Sequence, residues 1–212
     1  MIKTEPDNIN KYKETEKPNA IIFLPRYDYN KIFENKYSID FYKKIKENYD
    51  LLLTFSRSDK EIMSKLENMN NPELIIFSGH GNIKGTNLTL DQYKTKFKSK
   101  ILKKDFPNFI NEEYGEHLID ANDFNLKIKL RNIENPTVFF YSCNSGKYLA
   151  TNFSVFCPNL NIIAGKESFG LQNVTIKNYY PLDLSIKIRG KNITYKKESS
   201  LNKKWTNYQI QK

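Results

Sequence analysis

The strongest constraint in this chain is a pair of apolar runs, each of which stops at one chemically capable side chain. Leu74-Ile75-Ile76-Phe77 leads into Ser78-Gly79-His80-Gly81, and Thr137-Val138-Phe139-Phe140-Tyr141 leads into Ser142-Cys143-Asn144-Ser145-Gly146. Short runs that are apolar without alternation read as strands buried on both faces, as in a parallel sheet covered by helices. The chain contains two histidines and two cysteines. These runs deliver one of each to a strand end, and adjacent strands would bring imidazole and thiol together.

The flanking sequence supports such a sheet. Ala20-Ile21-Ile22-Phe23-Leu24 reads as a first strand stopped by Pro25, and Asp50 to Phe55 as a second. Tyr37, Phe41, Ile45 and Tyr49 recur every four residues and predict a helix between them. Ser58 and Glu61 have the spacing of a capping box, and Ile62, Leu66 and Met69 follow at helical intervals. The third strand then runs from Leu74 to His80. Strand, helix, strand, helix, strand is the pattern of an α/β fold with parallel strands.

Residues 82–136 are expected to hold one crossover helix and an insertion at the rim of the site. Leu88-Thr89-Leu90 suggests a short strand. Tyr93, Phe97 and Ile101 have helical spacing, and Asp123 is a candidate cap for a helix carrying Leu126, Leu130 and Ile133. His117, beside Glu116, reads as a surface histidine. The fourth strand runs from Thr137 to Ser142, and Leu149, Phe153 and Phe156 mark a helix that Pro158 ends. Cys157 reads as a small buried thiol. Leu160 to Ala164 is a fifth strand. Leu184, Ile186 and Ile188, then Ile193 and Tyr195, alternate with polar residues around Arg189-Gly190-Lys191-Asn192 and predict a β-hairpin. Its polar positions are basic: Lys187, Arg189, Lys191, Lys196 and Lys197, with Lys203, Lys204 and Trp205 following.

These elements make one domain over residues 20–212, with a mobile N-terminal arm over 1–19 and a C-terminal flap over 184–205. A chain of 212 residues with 39% apolar and 14% aromatic side chains can bury a substantial core. The net charge of +10 suits an acidic or phosphate-rich partner as well as a solvated lysine surface. Two cysteines do not make a disulfide framework. Residues 1–19 lack the apolar core of a secretory signal, and no run approaches a membrane span. The expected location is the cytoplasm, or a host cell reached without an N-terminal signal.

The chemistry follows from the residue types. A thiol with an ordinary pKa of about 8.5 is mostly protonated at neutral pH, and a neighbouring imidazole can take that proton to leave a thiolate nucleophile. The same imidazole can then protonate a leaving amine. Glycines on both sides of His80 keep the backbone open, so the N–H groups of Gly81 and Cys143 can serve as an oxyanion hole. A metal site is disfavoured by the lack of HxH, CxxC or HExxH spacing, and a dinucleotide site by the lack of GxGxxG.

At Ile75-Ile76-Phe77-Ser78-Gly79-His80-Gly81 and Val138-Phe139-Phe140-Tyr141-Ser142-Cys143-Asn144-Ser145-Gly146 the chain resembles the clan CD cysteine peptidases, which include caspases, legumain, clostripain and gingipains. The resemblance implies a caspase-like three-layer sandwich with a mostly parallel central sheet, and a thiol protease with a His80–Cys143 dyad and no required cofactor. It also implies a substrate site near Arg26, Tyr141, Ser142, Ser168 and Phe169. The position two before the nucleophile, often acidic or Gln in that family, is Tyr141 here, which argues against specificity for a basic residue.

Within the clan, the autoprocessing protease domains of bacterial toxins have similar length and a basic C-terminal flap with a tryptophan. That branch implies self-processing and activation by inositol hexakisphosphate bound at Lys187, Arg189, Lys191, Lys196, Lys197, Lys203 and Lys204. Two other readings stand beside the peptidase: a binding or scaffold protein on the same fold with an idle dyad, and a nucleic-acid or membrane-surface binder read from charge alone.

Overall fold

A computed structural model describes residues 17–25, 31–55, 59–81, 85–87 and 118–200. Most of the expected arm lies outside these residues. So do Arg26, Ser58, the segment holding Leu88–Leu90, Tyr93, Phe97 and Ile101, and His117, Lys203, Lys204 and Trp205.

The chain is α/β. Its central sheet has six strands, which lie side by side in the order Thr194–Lys197, Asn161–Gly165, Thr137–Tyr141, Leu74–Ser78, Asn19–Leu24 and Asp50–Phe55. Five of these are parallel: β1 (Asn19–Leu24), β2 (Asp50–Phe55), β3 (Leu74–Ser78), β7 (Thr137–Tyr141) and β8 (Asn161–Gly165). The sixth, β12 (Thr194–Lys197), runs antiparallel to β8 at the edge. Asn19, expected in the arm, opens β1, and its side-chain amide donates to Asn70 O at 2.9 Å.

The uninterrupted apolar runs have a simple cause, because β1, β3, β7 and β8 are buried on both faces. Ala20, Ile22 and Leu24, with Leu74, Ile76, Phe139 and Tyr141, face one core. Ile21 and Phe23, with Ile75, Phe77, Val138 and Phe140, face the other. Helix α1 (Lys36–Asn48) covers the first face through Ile39, Phe41, Tyr42 and Ile45. Helices α2 (Asp59–Asn68), α3 (Phe124–Arg131) and α4 (Leu149–Phe156) cover the second through Ile62 and Leu66, Leu126 and Leu130, and Leu149 and Phe153.

The predicted cap at Asp123 is present, its carboxylate accepting from Leu126 N–H at 3.2 Å. Asn35 caps α1 in the same way, accepting from Ser38 N–H at 3.0 Å. Tyr37, expected on the apolar stripe of α1, is exposed in the first turn instead, and Tyr42 takes its place in the core. A ladder of aromatic rings ties the second face together. Phe77 stacks on Phe23 at 5.2 Å and on Phe140 at 5.7 Å, and Phe140 meets Phe153 of α4 edge-on at 5.4 Å.

Three findings revise the sequence reading. First, the third strand ends at Ser78 rather than His80. The chain leaves the sheet at Gly79, and His80–Gly81 forms β4, a separate short strand antiparallel to β5 (Gly85–Asn87), which pairs in turn with β6 (Leu118–Asp120). Second, Val174–Asn178 is a strand, β9, that follows a 3₁₀ turn at Leu171–Asn173 and pairs with β10 (Asp183–Ile188). Third, the expected hairpin is only partly formed. β11 (Lys191–Asn192) pairs with β10 through a tight turn whose Arg189 and Gly190 both have positive φ. Tyr195 lies in the central sheet opposite Ala164. Alternation assigns a residue to a face but does not name the partner strand.

Truncating the ring at the centre of the aromatic ladder, Phe77→Ala, is expected to lower stability by about 3–5 kcal/mol. Urea titration followed by circular dichroism measures this.

Candidate functional site

β3 and β7 are neighbours, and their register sets Ser78 against Tyr141. One further bond, Gly79 N–H to Tyr141 O at 3.2 Å, prolongs the pairing. His80 and Cys143 therefore leave the carboxyl edge of the sheet side by side. β2 lies on one side of β1, while β3 and the later strands lie on the other. His80 and Cys143 thus sit next to the point where strand order reverses, where open α/β sheets bind ligands.

The two motifs touch. A Cβ built on Gly81 would stand 2.1 Å from Ser142 Oγ and 2.6 Å from Cys143 O. Only a glycine next to His80 allows the hairpin to lie so close to the turn that holds Cys143. His80 is half-buried, its Nε2 is shut off from solvent, and its ring meets Phe33 edge-on at 5.3 Å. Phe33 also meets Tyr141 at 5.0 Å, so a single ring braces both the histidine and the strand that precedes the cysteine.

Cys143 is half-exposed in the turn after β7. The turn is tied off by Ser145, whose hydroxyl donates to Ser142 O at 2.8 Å and Phe140 O at 3.2 Å. Asn144 adopts a positive φ of 59°, a conformation Asn tolerates better than most residues, and its N–H donates to Glu167 O at 3.2 Å. Gly146 N–H donates to Gly165 O at 2.9 Å. A Cβ at Gly146 would meet Tyr195 Cβ at 2.9 Å and the Gly165 carbonyl at 3.1 Å, so this turn also needs a glycine.

The remaining expected substrate residues divide. Ser168 is exposed in the loop after β8. Tyr141, Ser142 and Phe169 are buried, so they pack the site from beneath rather than line it. Alternation along β7 turns Tyr141 into the α1 core, where it meets Phe169 at 5.6 Å. Sequence reasoning missed Phe33, Thr86 and Glu167. All three reach the site by tertiary contact, and no local pattern marks them.

The described basic residues have different surroundings. Lys187, Arg189 and Lys191 are exposed at the hairpin, and Lys191 reaches Glu167 at 3.4 Å. Lys196 pairs with Asp183, which also lies 3.9 Å from Lys177. Lys197 donates to the carbonyls of Cys157 (3.4 Å) and Pro158 (3.2 Å), and burial holds its amine below the usual lysine range. Lys177, Lys196 and Lys197 line a groove of about 1020 Å³ at the amino edge of the sheet, together with Glu73, Asp183 and Glu198. That groove lies at the opposite edge of the sheet from His80 and Cys143.

Cys157, at the end of α4, is fully buried and donates its S–H to Lys127 O at 3.3 Å. Burial pushes its thiol up to about 11, an effect that nearby Lys127 only partly offsets. Among the described residues no three of His, Cys, Asp and Glu converge on a point that would hold a metal, and no helix is long and apolar enough to cross a membrane. No protein-family model matches the chain, and no curated protein matches it in sequence.

Two outcomes follow from this geometry. Iodoacetamide at neutral pH should modify Cys143 in the folded protein at least about 100-fold faster than Cys157, because the thiolate is the reactive form. Peptide mapping by mass spectrometry reads the ratio. Gly81→Ala should force Ser142 away, lower stability by about 1–3 kcal/mol and slow labelling of Cys143. Urea titration and the same labelling assay test this.

Proposed function

We propose that the chain is a cysteine endopeptidase of the caspase-like class, with Cys143 as nucleophile and His80 as general base and acid. The observation that carries this reading is the contact of Gly81, next to His80, with Ser142 and Cys143 across two adjacent strand ends. The sheet order and the antiparallel edge strand are consistent with a caspase-like layout.

In this mechanism His80 takes the thiol proton and Cys143 Sγ attacks the peptide carbonyl carbon. The carbonyl π electrons move to oxygen, and the oxyanion is met by the N–H groups of Gly81 and Cys143. The C–N bond then breaks as the imidazolium gives its proton to the leaving amine. Water, deprotonated by His80, attacks the thioester, and the thiol regains its proton as the acid product leaves.

Cys143→Ala and His80→Ala should each lower cleavage of a peptide library by roughly 10³-fold or more, as expected of a pair that acts as a unit. Unchanged cleavage by Cys143→Ala, including any self-cleavage, would sink the assignment. If a thiol-directed peptide electrophile reacts at Cys143 but no peptide is cut, the reading becomes that of an idle-dyad binding protein.

A second reading concerns activation by a polyphosphate such as inositol hexakisphosphate. Its support is the groove bearing Lys177, Lys196 and Lys197, two of which the sequence had marked as anion-binding. Adding the polyphosphate to the same library should raise turnover, and Lys196→Ala should weaken that response. Equal turnover with and without the polyphosphate removes this reading and leaves the peptidase untouched.

A further inference from the structure

We propose that Thr86 is a positioning residue for Cys143, acting through the hydroxyl of Ser142. The kinetic part of this proposal rests on the peptidase reading, while its thiol-reactivity part stands on geometry.

The paired ladder of β3 and β7 ends at Ser78 and Tyr141. Past Gly79 the two motifs are carried by separate pieces of backbone: the β4–β5 hairpin holds His80 and Gly81, and the turn after β7 holds Cys143. Something must then fix the hairpin against the turn, because a dyad loses rate steeply when its partners shift by an ångström.

Thr86 sits directly opposite Gly81 in the hairpin and is fully buried. Its Oγ1 donates to Ser142 Oγ at 2.7 Å, an ordinary O–H···O length. Ser142 is itself buried and directly precedes the nucleophile. Its hydroxyl also rests on the open face of Gly81, where a Cβ would lie 2.1 Å away.

Gly81, Thr86 and Ser142 thus form one packed unit with a hydrogen bond through it. Contact alone resists compression only, whereas the hydroxyl pair also resists separation and sets direction. Both hydroxyls are out of water, so loss of the donor leaves Ser142 without its Thr86 partner in a place where solvent does not replace it. The branched side chain of Thr86 restricts its own rotation, which suits a fixed post.

The test compares wild type, His80→Ala, Thr86→Val and Thr86→Ser. Valine keeps the shape and removes the hydroxyl, while serine keeps the hydroxyl. One readout is the rate of iodoacetamide alkylation at Cys143 at neutral pH, located by mass spectrometry. The other is kcat and KM on a cleaved peptide.

Thr86→Val should slow alkylation about tenfold, toward the His80→Ala rate, and lower kcat by a similar factor with KM unchanged. Thr86→Ser should stay within about twofold of wild type, since it retains the donor. Should Thr86→Val fail to fold, Ser142→Ala removes the same bond from its other end and should give the same loss.

Wild-type alkylation by Thr86→Val overturns the proposal, and so does a Thr86→Ser loss as large as that of valine. Equal alkylation of wild type and His80→Ala also overturns it, because there is then no dyad to position. His80-dependent alkylation that Thr86→Val slows, in a protein that cuts no peptide, supports the positioning role while the peptidase reading fails.

Discussion

The parallel pairing of β3 with β7 is the interaction on which the rest of this structure depends. It sets Ser78 against Tyr141, and so decides that one histidine and one cysteine leave the sheet at the same level. The register is specified by burial on both sides. A slip of β7 by one residue against β3 would exchange its two faces, sending Phe140 into the α1 core and Phe139 into the opposite one. The two cores are filled by different partners, so that exchange would lose ring contacts on both faces at once.

Rigidity passes from these cores to the site through aromatic side chains. Phe33 touches His80 and Tyr141, Tyr141 touches Phe169, and Phe169 packs on Gly165, whose carbonyl holds Gly146. The half-exposed His80 and Cys143 are therefore seated on buried side chains. A site supported in this way keeps its geometry without spending binding energy to order it when a ligand arrives.

Much of this was legible in the sequence for one physical reason. Strands covered on both faces leave uninterrupted apolar runs, and β1, β2, β3, β7 and β8 were found from those runs. His80 was assigned to the end of β3 because a two-residue strand such as β4 has no periodicity to display. Strand β9 escaped because Val174-Thr175-Ile176 is only briefly alternating and follows a 3₁₀ turn. Tyr195 was misassigned because alternation continues across Ile193 while the backbone passes from one sheet to another. Phe33, Thr86 and Glu167 were invisible for a different reason. Their roles are pairings with residues far along the chain, such as the 56 positions between Thr86 and Ser142, and one sequence does not record pairings.

The seat of Gly146 against Tyr195 and Gly165 has a consequence for the order in which the molecule is completed. Cys143 lies far ahead of β12 in the sequence, yet the wall behind its turn includes Tyr195 of that strand. That contact spans about fifty residues and carries the loop-closure cost of a non-local pairing. A chain emerging from synthesis would hold both His80 and Cys143 well before it held that wall. Docking of β12 is thus the contact that closes the turn behind Cys143.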